Sequence, residues 1–240
     1  FFFYFRSATL EEQAKFPIED TREMNSHMDI AVNNIKKIKG YEKLFEEAYG
    51  DKKIDQDRIL KAIATFERTV ISRKSRFDKF IEGDSTKLSN QEVQGLHLFR
   101  TKARCLNCHN SPLFSDDQFH NVGLTYYGRK YEDLGRFNVT KKTEDIGKFK
   151  TPSLREITKT GPYMHNGLFS EIRGVLNMYN AGMPNQKPNA QQEKDPLFPK
   201  NSVLLHQLNL SEEELQALEA FLESISSVIY REPAPEQYPK

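Results

Sequence analysis

A mostly α-helical fold is predicted by three features of the sequence. Apolar residues recur at three- and four-residue steps in several long segments, two segments open on a capping box, and alternating strand patterns are nearly absent. In IDQDRILKAIATFERTVISR, residues Ile59, Leu60, Ile63, Phe66 and Val70 mark an amphipathic helix. SNQEVQGLHLFRTK pairs Ser89 with Glu92 as a helix start and carries Val93, Leu96 and Phe99 along one face. In EIRGVLNMYNAG the stripe is Ile172, Val175, Leu176 and Tyr179. The stretch from Gly182 to Lys200 holds four prolines and few apolar residues, which predicts a long surface loop. SEEELQALEAFLESISSVIY repeats the capping device with Ser211 and Glu214, and its buried stripe is Leu215, Leu218, Leu222 and Ile225.

The chain has 240 residues, 37% hydrophobic and 29% charged, with a formal net charge of +1. That balance argues against a nucleic-acid binder working through a large basic face. No run approaches the ~18 apolar residues of a membrane-spanning helix. Two cysteines cannot build a disulfide-dense scaffold or a four-cysteine zinc site. The first five residues are all aromatic, without the basic region and small-residue cleavage site of a signal peptide. This start reads as a cut through a longer polypeptide, or as a segment that packs on a partner. The proline-rich end, REPAPEQYPK, reads as an irregular tail.

Both cysteines fall in one motif, Cys105-Leu106-Asn107-Cys108-His109, directly after the helix expected over 89–102. Two thiols separated by two residues and followed at once by histidine are the attachment signature of c-type haem. Each sulfur adds to one vinyl group of the porphyrin, and the short turn sets the next imidazole beneath the iron. A thioredoxin-like pair prefers a strand–helix context, and a zinc site needs further ligands nearby; neither condition is met. Covalent attachment takes place after export, so a periplasmic or other extracytoplasmic location is expected. For the second axial ligand, helical periodicity alone favours Tyr179 as a core tyrosine with a hydrogen-bonded hydroxyl. Met178 is turned ~100° from it, and Met164 and Met183 fall in flanking loops.

Several blocks in order give the sequence a resemblance to the bacterial di-haem cytochrome c peroxidase family, including its MauG-like branch. Besides CLNCH they are LEEQAKFPIE with Glu23-Met24, AIATFERTV, FDKFIEGD, LSNQEVQGLHLF, FSDDQFHNVGL, DLGRFNVT, FKTPSLREI and GPYMHNGLF. The resemblance implies a cytochrome c-like helical haem domain over 41–230, an inter-domain connecting segment over 1–40 that packs against a missing N-terminal haem domain or partner chain, and a tail over 231–240. It further implies an electron-transfer haem c that serves a second haem where hydrogen peroxide is reduced, fed by a small donor such as a cytochrome c or cupredoxin. A homodimer also fits the family pattern. Alternatives to the peroxidase are a mono-haem electron-transfer subunit and a MauG-like oxidase acting on a protein substrate.

The resemblance also assigns residues. His109 becomes the proximal ligand and Tyr179 the distal one, with Met178 and Met183 as alternatives. Backbone carbonyls of Thr160 and Pro162 become ligands of a calcium ion, a hard cation suited to such oxygens. Gln13 and Glu23 match residues over the peroxidatic haem, where a carboxylate can shuttle a proton between peroxide oxygens. Arg155 is assigned either to a haem propionate or to a structural ion pair, and His120 and His165 to propionate contacts or loop-ordering hydrogen bonds. The sequence departs from the family where tryptophan usually stands between the haems: Phe3 takes that position, with Tyr4 beside it as a substitute relay.

Overall fold

The computed structural model describes residues 7–227 together with Gln237 and Pro239, so the aromatic start with Phe3 and Tyr4 and most of the C-terminal tail lie outside the described residues. The chain divides into two compact units at Ile71 and Ser72, whereas the sequence reading drew its line at residue 40. The apolar contacts account for the later boundary: Phe45, Ile54, Ile59 and Leu60 share one buried cluster with Ala14, Met28 and Val32.

The first unit is built from α1 (Leu10–Glu19), α2 (Met28–Lys36), α3 (Lys39–Tyr49) and α4 (Gln56–Glu67). Thr9 and Asp55 cap α1 and α4 by accepting backbone N–H bonds from Glu12 and Arg58. Gly50, at φ 84°, ends α3 in the left-handed conformation that costs a residue without Cβ least. Helix α4 forms as expected but stops at Glu67, and Phe66 and Val70 are 59% and 70% exposed rather than in the stripe. Ile59, Leu60, Ile63 and Ala64 define the packed face. Phe66 projects roughly 90° from its middle at ~100° per residue, and Val70 lies beyond the helix end.

The second unit holds α5 (Arg76–Ile81), α6 (Asn90–Arg100), a short α7 (Phe137–Thr140), α8 (Ile172–Asn180) and α9 (Glu212–Ser224). Two two-residue strands, β1 (Phe119–His120) and β2 (Phe149–Lys150), pair antiparallel with Phe119 opposite Lys150. Both expected capping boxes are present, Ser89 with Glu92 and Ser211 with Glu214, and a third joins Ser75 and Asp78. The stripe Leu215, Leu218, Leu222 and Ile225 is buried throughout.

Helix α6 buries a face rotated from the expected stripe. Phe99 is buried and Leu96 packs partly on the core as read, but Glu92, Gly95 and Leu98 complete the buried face and Val93 is 39% exposed. Gly95 decides this, because a Cβ built on it would stand 1.9 Å from the Ala217 carbonyl oxygen, so α6 and α9 cross there in backbone contact. Glu92 is buried but satisfied: it accepts the Ser89 N–H at 2.7 Å and pairs with Arg76 at 2.5 Å. Around the crossing, Phe77, Phe99, Phe114 and Phe221 form an aromatic cluster with centroids 5.1 to 6.1 Å apart. The stretch from Gly182 to Lys200 is a loop carrying one short 3-10 turn, anchored by buried Met183 and by the Tyr127 hydroxyl, which donates to Asp195 at 2.5 Å. No helix among the described residues is long and apolar enough to cross a membrane.

Candidate haem site

Helix α6 ends in a turn that delivers the CLNCH motif. The Ala103 N–H bonds back to Leu98, Arg104 takes a left-handed φ of 55°, and Cys105–Asn107 form a single 3-10 turn. The Cys105 carbonyl then accepts both the Cys108 N–H at 3.2 Å and the His109 N–H at 2.8 Å. This compaction sets both sulfurs and the imidazole on the wall of one cavity of about 380 Å³, within the range of cofactor sites. The His109 Nδ1 lies 2.8 Å from the Phe114 carbonyl oxygen. An N–H at Nδ1 serving that carbonyl leaves the Nε2 lone pair for a metal, the arrangement that orients ligating histidines. Burial also pushes the His109 pKa down and outweighs the Phe114 carbonyl, which favours the neutral, ligating imidazole.

The rest of the cavity is largely apolar. Phe99 comes from α6, Ile172, Val175 and Leu176 from α8, and Leu218 and Leu222 from α9. Burial pushes the Cys105 thiol up to about 12 and the Cys108 thiol to about 11. Thiols held neutral are poor thiolate ligands and poor redox nucleophiles. Cys108 also has Asp116 and His120 nearby, with one ligand atom from each of the three within 4.8 Å of the others. Sulfurs on the wall of a largely apolar cavity suit thioether attachment of a porphyrin. The Tyr179 phenol supplies a second fit. It stands on the cavity wall with its pKa raised by burial, and it has no hydrogen-bond partner among the described residues. Tyr179 is half-buried, and an unpartnered phenol on the cavity wall is free to meet a bound group.

The other sequence candidates fall as follows. Met178 and Met183 do not line the cavity; Met183 is buried elsewhere and Met178 is turned along α8. Thr160 and Pro162 stand at the cavity rim, exposed. Arg155 is not on the cavity wall. Its guanidinium forms a fork to Asp78, with both N···O distances 2.8 Å, and its Nε donates to the Pro112 carbonyl at 3.0 Å. Of its two readings, the structure places Arg155 in the structural ion pair, where the guanidinium fork is engaged by the Asp78 carboxylate. Gln13 is half-buried on α1, and Glu23 is exposed in the turn after it, with its N–H on the Asp20 carbonyl. His120 and His165 both line the cavity. The first lies 2.8 Å from Asp116, and the second stacks on Phe149 at 3.6 Å.

Sequence reasoning passed over Met164 as a loop residue, yet it lines the same cavity as Tyr179. The Asp116–His120 contact was also missed, although a four-residue spacing at a strand edge could have suggested it.

The family model for di-haem cytochrome c peroxidase matches residues 1–86. The MauG methylamine utilization protein of Methylophilus methylotrophus is 39% identical over 180 residues, covering 73% of this chain and 52% of that protein. The cytochrome-c peroxidase IdrP1 of Pseudomonas sp. (strain SCT) is 31% identical over 247 residues, covering 91% and 62%. Among solved structures, a MauG-like protein associated with microbial copper homeostasis superposes with a TM-score of 0.76 at 27% identity, covering 91% of this chain and 69% of that one. The chain thus spans about half to three fifths of the length of these curated relatives.

Proposed function

Because this chain belongs to the di-haem cytochrome c peroxidase family, we propose that it forms the electron-transfer half of a two-haem enzyme that reduces hydrogen peroxide to water. The observation that carries this reading is the single apolar cavity shared by Cys105, Cys108, His109 and Tyr179. Cys105 and Cys108 hold the porphyrin covalently, and haem c supplies a one-electron carrier when bound. His109 ligates from one side, its ring fixed and made more basic by the Phe114 carbonyl. Tyr179 offers the second ligand. The apolar walls from α8 and α9 keep water from the metal, which tunes its potential.

Electrons come from a small donor protein of the cytochrome or cupredoxin class. Gln13 and Glu23 serve the second haem, where Glu23 moves a proton between peroxide oxygens. Thr160 and Pro162 offer their carbonyls to calcium, and the whole protein works in the periplasm, where haem is attached.

A MauG-like oxidase acting on a protein substrate is the second reading. It is favoured by Tyr179, rather than Met178 or Met183, on the cavity wall. Intact mass and haem staining of the native protein test the proposal. Two covalent haems are expected, with Cys105→Ala/Cys108→Ala removing one. A single haem in the intact native protein would leave only a mono-haem electron-transfer subunit. In the oxidised protein, a methionine–iron charge-transfer band at long wavelength would eliminate Tyr179 as ligand.

A further inference from the structure

We propose that Arg155, paired with Asp78, is a positioning residue for the haem. It holds the loop after the CLNCH motif so that the Phe114 carbonyl stays on His109 Nδ1, and in this way it keeps the reduction potential low. This role rests on the reading above, in which His109 ligates the iron.

The loop that carries the orienting carbonyl is strained. Ser111 and Phe114 have φ of 70° and 53°, in the left-handed region that residues with a Cβ rarely occupy. Such conformations persist only where the surroundings fix them. One bond within the loop, from the Ser111 hydroxyl to the Ser115 carbonyl at 2.7 Å, closes the turn. Three alternate residues of a neighbouring segment then pin it from outside. The Thr151 carbonyl accepts the Ser115 hydroxyl at 2.7 Å, and the Ser153 hydroxyl donates to the Leu113 carbonyl at 2.6 Å. Arg155 Nε donates to the Pro112 carbonyl at 3.0 Å, and its guanidinium carbon stands 5.2 Å from the centre of the Phe114 ring.

Arg155 also ties this clamp to α5. Its Nη1 and Nη2 each lie 2.8 Å from an Asp78 carboxylate oxygen. Asp78 is fixed in turn by the α5 capping box, where it accepts the Ser75 N–H at 2.7 Å and the Ser75 hydroxyl at 2.8 Å. One planar group therefore spans from a helix start to a carbonyl two residues before the one that orients His109. A lysine ammonium has a single nitrogen and cannot stand at all three donor positions.

The hydrogen bond from Nδ1–H makes the His109 imidazole a stronger donor, and a stronger donor favours the oxidised iron. When the loop relaxes, that bond opens, the donor weakens and the potential rises. Arg155 and Asp78 carry opposite charges that offset one another, so the effect runs through geometry rather than through net charge.

The test uses the intact haem-loaded protein with Arg155→Lys, which keeps the charge, and Ser153→Ala, which removes a neutral clamp on the same loop. Ser211→Ala, which destabilises α9 by loss of its cap, serves as the control. Two quantities are read: the midpoint potential of the haem on Cys105 and Cys108, and the solvent exchange of the His109 Nδ1 proton by NMR of the reduced protein. Arg155→Lys is expected to speed that exchange about tenfold, the equivalent of one lost hydrogen bond, and to shift the potential upward. Ser153→Ala should move both in the same direction, and Ser211→Ala should move neither. Lowered stability in Arg155→Lys with exchange and potential unchanged makes the pair purely structural and overturns the positioning role, leaving His109 as ligand. If Arg155→Lys does not fold, unchanged exchange and potential in Ser153→Ala overturn it instead. A native protein whose Cys105–His109 peptide carries no haem by mass spectrometry overturns the haem reading itself, and the positioning role with it.

Discussion

Replacing Gly95 with alanine tests the helix crossing that shapes the cavity. An added Cβ would meet the Ala217 carbonyl oxygen at 1.9 Å, the Ala217 carbonyl carbon at 2.6 Å and the Phe221 Cβ at 2.7 Å. To reach an ordinary contact of 3.4 Å, α6 and α9 must part by about 1.5 Å. The nearest obstructing atoms are backbone, so no side-chain rotation relieves them. Overpacking of this kind costs about 1–3 kcal/mol, and rigid obstruction places Gly95→Ala at the upper end. Alanine returns about 1 kcal/mol of helix propensity, leaving about 2 kcal/mol of net destabilisation. For a chain of this size that lowers Tm by roughly 4–8 °C. Phe99 on α6 and Leu218 and Leu222 on α9 all line the cavity, so haem content should fall together with stability. The measurement is thermal and urea unfolding of Gly95→Ala against Gln94→Ala, an exposed neighbour expected to change little. An unchanged or raised Tm in Gly95→Ala would refute the close crossing, since propensity alone would then be acting.

Two other expectations rest on polar contacts. Removing Arg155 leaves Asp78 half-buried without its fork, so Arg155→Ala should lose about 3 kcal/mol at neutral pH, read from urea midpoints. Burial pushes the Asp78 carboxyl up, but the Arg155 and Ser75 hydrogen bonds together hold it below the ordinary value. A depressed carboxylate stabilises fully above its unfolded pKa of about 3.9 and loses that contribution as pH falls through the folded value. The wild type should therefore lose stability steeply below about pH 4, and Arg155→Ala should show a shallower acid limb. Ser211→Ala removes the acceptor for the Glu214 N–H at the start of α9 and should cost about 1 kcal/mol by the same assay.

The helical class and both capping boxes could be read from local sequence because a cap is set by residues three apart, as at Ser89 and Ser211. The face of α6 could not. Val93, Leu96 and Phe99 make an equally good stripe on paper, and only the approach of Ala217 selects the face carrying Gly95. Phe66 was misread for a related reason: periodicity gives an apolar sector but not its edges, which the packed neighbours Ile59, Leu60 and Ala64 set. At the site, Cys105, Cys108 and His109 were legible because their chemistry needs contiguous spacing. Arg155 was ambiguous because its partner, Asp78, lies 77 residues away. Met164 carried no signal at all, since nothing local marks a loop methionine as facing a cavity.

The sequence by itself determined the starts of the helices capped at Ser89 and Ser211 and the spacing of Cys105, Cys108 and His109, because capping bonds and a contiguous motif act within a few residues. Tertiary structure alone decided that Tyr179 and Met164, rather than Met178 or Met183, reach the cavity. It also decided that Arg155 pairs with Asp78. Those outcomes depend on how close α6 and α9 approach and on which loop residues come to border the space beside them. Both are fixed by packing between segments far apart in the chain.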